Sequence, residues 1–222
     1  MNLLLLPLDS LVCTGPVDHA DWSYRPILST ISRARLKLAC RLLPKQPVRR
    51  LLEVGYGSGI FLPELAAHCR ELFAIDPHDC LTAVAERLTA NHVTAALTSG
   101  TAEAMRYPSG HFDRVVAISS LEFIPDIEAA ASELCRVLAP GGSLVCVTPS
   151  HSKFVDFGLK VLTGESAKKD YGDRRERLAG VLAKSFTVRR ELLWPPLAGR
   201  ATALYHALEL VPREAYPRAL VA

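Results

Sequence analysis

Glu53, three alternating glycines and Asp76 are the residues whose types and spacing point to chemistry in this chain of 222 residues. Gly55, Gly57 and Gly59 lie between a short apolar run, Leu51 to Val54, and a stretch in which Ile60, Leu62, Leu65, Ala66 and Cys69 follow helical spacing. Strand, glycine turn and helix make a cradle for a nucleotide-type ligand, because glycine lacks the β-carbon that opposes φ > 0 and close approach of the backbone. The dinucleotide fingerprint G-x-G-x-x-G fails in this register, since its last position falls on Ile60. Glu53, two residues before the first glycine, would repel a pyrophosphate and suits a ligand bearing positive charge. Asp76 falls 21 residues after Gly55, at the end of a second apolar run, where an acid accepts bonds from ribose hydroxyls. The plainer alternatives are a tight turn with no ligand at the glycines and a capping aspartate beside Pro77.

The elements that must position these residues follow from hydrophobic periodicity. A helix is expected over Ile27 to Leu43, closed by Pro44 and Pro47, after an irregular segment of about 24 residues. Strands are expected at Leu51 to Val54, Glu71 to Asp76, Thr94 to Ser99, Phe112 to Ile118 and Ser143 to Thr148. Helices follow the glycine turn and occupy Cys80 to Asn91 and Ile127 to Leu138. Pro140-Gly141-Gly142 reads as a turn before the fifth strand. Two helices are expected between Ser150 and Ser185, then an antiparallel pair, Phe186 to Trp194 and Ala201 to Val211. Five β-α units and a hairpin imply a doubly wound α/β fold with a mainly parallel sheet, whose ligands bind at the strands' carboxyl ends.

The pattern Glu53-x-Gly55-x-Gly57-x-Gly59 resembles the first motif of the class I S-adenosylmethionine-dependent methyltransferases. The segment with Gly100, Ala102, Glu103, Met105, Phe112 and Asp113 is similar to a second stretch of that family, and Leu121 to Asp126 resembles its loop after the fourth strand. The resemblance covers residues 49–150 and implies a seven-stranded sheet with S-adenosylmethionine as cofactor. It places Glu53 at the cofactor's amino group, Gly55, Tyr56, Gly57 and Gly59 against its methionine part, and Asp76 with Pro77 at the ribose. Thr101, Ala102 and Glu103 fall at the adenine end and Ser119 beside the transfer site. Thr101 stands where the family often has an aspartate. One domain is expected, with 1–48 as an N-terminal helical lid, 49–150 as the cofactor core, 151–185 as a helical insertion and 186–222 as closing strands.

Composition bounds the partners. Net charge is +3, with 49% apolar residues, so no global field for nucleic acid is implied. Six cysteines form no C-x-x-C pair and read as reduced thiols; a cytoplasmic protein without a metal site is expected. The apolar start MNLLLLP is too short for a signal or membrane span. Arg33, Lys37 and Arg41 share a helix face; the plain reading is a solvated surface, the alternative a peripheral contact with an anionic membrane or substrate. The expected substrate is a small or lipid-like molecule, with the lid and insertion covering its pocket. Glu122, His78, His151 and Tyr24 are the candidates should methyl transfer need a base. A binding protein that keeps the fold without catalysis is the competing reading.

Overall fold

The computed structural model describes residues 2–15, 18–150, 174–197, 199–200 and 202–213. Seven strands form one sheet: β1 Val48–Val54, β2 Cys69–Asp76, β3 Ala96–Ser99, β4 Phe112–Ile118, β5 Leu138–Pro149, β6 Phe186–Trp194 and β7 Tyr205–Pro212. Their spatial order is β3-β2-β1-β4-β5-β7-β6. The first five are parallel; β7 runs antiparallel to both β5 and β6. The helices are α1 Leu28–Leu42, α2 Leu62–Ala66, α3 Leu81–Ala90, α4 Ile127–Val137 and α5 Arg174–Ser185.

Strand alternation divides the core into two layers. Leu51, Val116, Ile118, Val145 and Val147 point to the face covered by α1 and α2. Leu52, Val54, Val115, Ala117, Leu144 and Cys146 point to the face covered by α4 and α5. Glu53 falls in the row of Leu51, so strand geometry delivers a carboxylate to the α1 side of the sheet. Helix α1 is held from its far end, where Arg190 of β6 donates to the carbonyls of Arg41 and Leu42 at 2.6 and 3.2 Å. These are last-turn carbonyls with no partner inside the helix, and a cation there also complements the helix dipole.

Two expectations are corrected. The helix after the glycine turn is only five residues long, because the His68 carbonyl already accepts from the Val48 N–H at 2.9 Å and Cys69 is the first residue of β2. Pro140-Gly141-Gly142 does not precede β5 but lies within it: Phe112 pairs with Leu138 and Arg114 with Ser143, so the intervening residues bulge out, with Gly141 at φ +79°. The N-terminal segment contains two 3-10 turns, Leu8–Ser10 and Ala20–Tyr24. The first half of the expected insertion, 151–173, lies outside the described residues, and His151 with it.

Candidate cofactor and acceptor cavity

A cavity of about 650 Å³ opens at the carboxyl ends of β1, β2 and β4. Glu53, Gly55, Tyr56, Gly57, Asp76, Pro77, Thr101, Ala102, Glu103 and Ser119 all line it. Gly59 does not. All three glycines have positive φ, at +81°, +49° and +74°, yet a β-carbon would meet something different at each. At Gly55 it would lie 2.3 Å from Ser120 Cβ. At Gly59 it would press on Val84 and Leu62 at 3.1 and 3.2 Å. At Gly57 it would reach ordinary contact, 3.7 Å, with Asp18 and Thr14 of the N-terminal segment. Gly55 therefore lets β1 and β4 approach, Gly59 lets α2 and α3 pack, and Gly57 faces the cavity.

Glu53 is 2% exposed, and its Oε2 has no hydrogen-bond partner among the described residues. Burial, reinforced by the Asp76 carboxylate and opposed by the Arg35 guanidinium, pushes its carboxyl up to about 8. Asp76 braces the turn: Oδ2 accepts from the Gly57 N–H at 2.9 Å and Oδ1 from the His78 N–H at 3.2 Å. Each oxygen retains a lone pair for a ligand hydroxyl. Ser119 is held at φ +53° while its N–H donates to the Val147 carbonyl at 2.8 Å, and its buried Oγ has no partner among the described residues. Such backbone strain in a side-chain-bearing residue clusters at functional sites. Next to it, Ser120 Oγ donates to the Val54 carbonyl at 2.6 Å and ties β4 to β1.

The loop carrying Thr101 to Glu103 is pinned from α4. Glu133 accepts from the Met105 N–H at 2.8 Å, and Arg136 donates to the carbonyls of Met105 and Tyr107 at 2.9 and 2.7 Å. Asp113 accepts from the Arg50 N–H at 2.8 Å, so its place is structural.

The base candidates fare poorly. His78 Nδ1 accepts from the Cys80 N–H at 3.1 Å, which assigns the proton to Nε2, and Nε2 lies 3.0 Å from the Gly57 carbonyl. Both ring nitrogens thus hold the turn in shape. Tyr24 donates to the Leu6 carbonyl and does not line the cavity. Glu122 is buried and does not line it either.

The N-terminal segment expected as a lid does form the opposite wall, though sequence reasoning named none of its residues and missed the start of β7. Thr14, Asp18, His19 and Trp22 reach the cavity from the N-terminal segment, with Leu28, Ile31 and Arg35 from α1 and Leu204 and Tyr205 from the start of β7. His19 stacks on Trp22 with ring centroids 4.3 Å apart. Thr14 Oγ1 donates to Asp18 Oδ2 at 2.7 Å. Arg35 lies over the Phe61 ring at 5.1 Å. The basic face of α1 does not survive intact: Arg33 donates to the Ser23 carbonyl at 2.8 Å and covers the Tyr24 ring, while Lys37 and Arg41 are exposed.

A parallel sheet closed by an antiparallel pair, with a glycine turn after β1 and acids ending β1 and β2, defines the class I methyltransferase fold with its nucleoside-binding pocket. Residues 52–146 match the family model described as "Methyltransferase domain". The chain is 31% identical over 114 residues to the demethylmenaquinone methyltransferase of Bacillus licheniformis, a match covering 50% of this chain and 48% of that protein. It is 34% identical over 101 residues to the phosphatidylethanolamine N-methyltransferase of Cereibacter sphaeroides, covering 44% and 49%. The N-methyltransferase NodS of Bradyrhizobium japonicum, solved with S-adenosyl-L-homocysteine, shares the fold at a TM-score of 0.60 and 19% identity, covering 89% of this chain and 94% of that one. The chain thus carries a methyltransferase domain over residues 52–146 and shares the fold of S-adenosylmethionine-dependent methyltransferases. It spans about half the length of the curated relatives it matches.

Proposed function

We propose that the protein transfers a methyl group from S-adenosylmethionine to an apolar, lipid-like small molecule. The observation that carries this reading is a cavity in which Glu53, Asp76 and Arg35 share the lining with an apolar set, Leu28, Ile31, Ile118, Phe123, Ile124 and Leu204. Relatives named for a demethylmenaquinone and for phosphatidylethanolamine support an apolar acceptor.

The cofactor supplies an electrophilic methyl group on a sulfonium centre. Glu53 Oε2, buried and unpartnered, would accept from the ammonium of its methionine part, and Arg35 would hold the carboxylate. Asp76 accepts from the ribose hydroxyls while keeping the Gly57 N–H in place. Thr101, Ala102 and Glu103 would border the base, and Ser119 would sit beside the sulfonium. Trp22 and the apolar wall orient the acceptor and keep water away, so proximity and desolvation supply much of the rate. Of the four base candidates, His78 spends both ring nitrogens on the glycine turn, and Tyr24 and Glu122 do not line the cavity.

The test is calorimetry with S-adenosylmethionine and its demethylated product, followed by labelled methyl transfer to quinol and phospholipid panels and mass measurement of the product. Micromolar binding with label in the lipid fraction is the expected outcome. Binding without transfer to any acceptor favours a binding protein, and absence of cofactor binding overturns the reading.

A further inference from the structure

Behind the cavity, on the α1 side of the sheet, Cys40, Glu64 and His68 bring their Sγ, carboxylate oxygen and ring nitrogen within 4.8 Å of one another. They come from the last turns of α1, from α2 and from the residues leading into β2, and none of them lines the cavity. Glu64 Oε1 is 3.9 Å from Cys40 Sγ and 3.6 Å from His68 Nε2. Both separations lie a few tenths of an ångström above the edges of a tetrahedron around a zinc ion, so a small side-chain shift closes them on one. With Zn–S about 2.3 Å and Zn–N or Zn–O about 2.0–2.1 Å, those edges run about 3.4–3.6 Å. The other carboxylate oxygen is already engaged, since Glu64 Oε2 accepts from the Leu4 N–H at 2.8 Å. That bond turns Oε1 toward the cysteine and histidine.

We propose that Cys40, Glu64 and His68 form a zinc site that anchors the N-terminal segment. A thiolate and a carboxylate neutralise the ion's two positive charges, so a nearly buried site carries no net charge, and the imidazole binds neutral. The Cys40 thiol proton leaves to solvent when the metal binds. The fourth position takes a water, reached past His68, whose side chain is 21% exposed. A three-donor site of this kind fixes the carboxylate that holds Leu4. Leu6 follows two residues later, donating its N–H to the Ile60 carbonyl and accepting from Tyr24. The ion thus sits at the root of the segment that carries Thr14, Asp18 and Trp22 to the cavity. Spacing along the chain is silent at these positions because the three donors lie on separate elements, with only Glu64 and His68 at metal-ligand spacing.

The test uses the full chain, stripped by chelator and titrated with zinc(II) against a chromophoric competitor, then with cobalt(II) followed by absorption. Wild type is expected to take up one equivalent, to melt at higher temperature with zinc, and to show a thiolate-to-cobalt charge-transfer band. Cys40→Ala is expected to lose the band and the thermal shift, and His68→Gln the thermal shift, with circular dichroism showing both variants folded. Failure of wild type to take up one equivalent overturns the proposal. So does binding that survives both substitutions, which assigns it to other thiols such as the exposed Cys13.

Discussion

The glycine-turn end of the cavity is assembled from residues that lie close together in the chain, 53 to 59 and 76 to 78, held by bonds among themselves. The acceptor end is assembled from the N-terminal segment, α1, the loop after β4 and the start of β7, parts of the chain more than a hundred residues apart. The first end works by backbone conformation and by a few fixed charges. The second works by shape and apolar surface. A change at the first should therefore act on cofactor binding and stability, and a change at the second on acceptor use.

The largest expected effect falls within the glycine turn and splits it. Gly57→Val is expected to abolish cofactor binding in a folded protein, because its β-carbon enters the cavity side and a β-branched residue resists φ +49°. Gly55→Ala is expected to unfold more readily, losing about 2–4 kcal/mol in denaturant titration, since left-handed strain adds to a clash with Ser120. Equal losses of stability for alanine at 55 and 57 would remove the distinction between them.

Glu53 provides a pH signature. Its folded value of about 8 stands above the ordinary carboxyl value of 4.5, so the unfolded chain releases this proton first. Stability of the cofactor-free protein is therefore full below about pH 4.5, declines as pH rises toward 8 and is flat beyond, a loss on the order of 5 kcal/mol from this group. Glu53→Gln is expected to flatten that slope and to be the more stable protein at pH 8. A cationic ligand favours the ionised carboxylate, so cofactor affinity of the wild type should rise with pH up to about 8. Melting curves and calorimetry across pH 5–9 check both signs; parallel profiles for the two proteins would place the buried charge elsewhere.

Asp76→Ala is expected to weaken the cofactor about 10- to 150-fold, the scale of about 1.5–3 kcal/mol for bonds to a charged group. Part of that loss comes from freeing the Gly57 and His78 amides. Unchanged affinity would leave Asp76 as a brace for the turn alone.

At the acceptor end, Trp22→Ala is expected to raise the acceptor KM by about tenfold, the scale of about 1–1.5 kcal/mol for one aromatic contact, while cofactor affinity stays within about threefold. Loss of both together would mean that the two ends are coupled through the N-terminal segment. The smallest effect is expected at the exposed pair Lys37 and Arg41. Changing both to glutamine should leave sedimentation with anionic vesicles unaltered, since surface charges of this kind are ordinarily solvated. A salt-sensitive loss of vesicle binding in the variant would restore the membrane reading.

Local order was legible wherever backbone and hydrophobic period decide it. Strand β4 occupies Phe112–Ile118, the span expected from its β-branched residues, and the glycine turn stands between strand and helix as its composition requires. Boundaries set by pairing were not. Cys69 fits a helical stripe, but hydrogen bonding to β1 makes it a strand residue, and Pro140-Gly141-Gly142 reads as a turn before a strand that instead bulges around it.

The sequence by itself determined the α/β order, the cradle after β1 and the acids ending β1 and β2, because each depends on residues within a few positions of one another. Tertiary structure alone decided that three alike glycines have three different neighbours, that His78 spends both nitrogens on the turn, and that Arg35 faces Glu53. It also decided that Trp22 reaches the acceptor wall and that Cys40 meets Glu64 and His68. Those relations depend on how distant segments pack across the sheet, and no spacing along a chain encodes a distance between elements that meet only when the core closes.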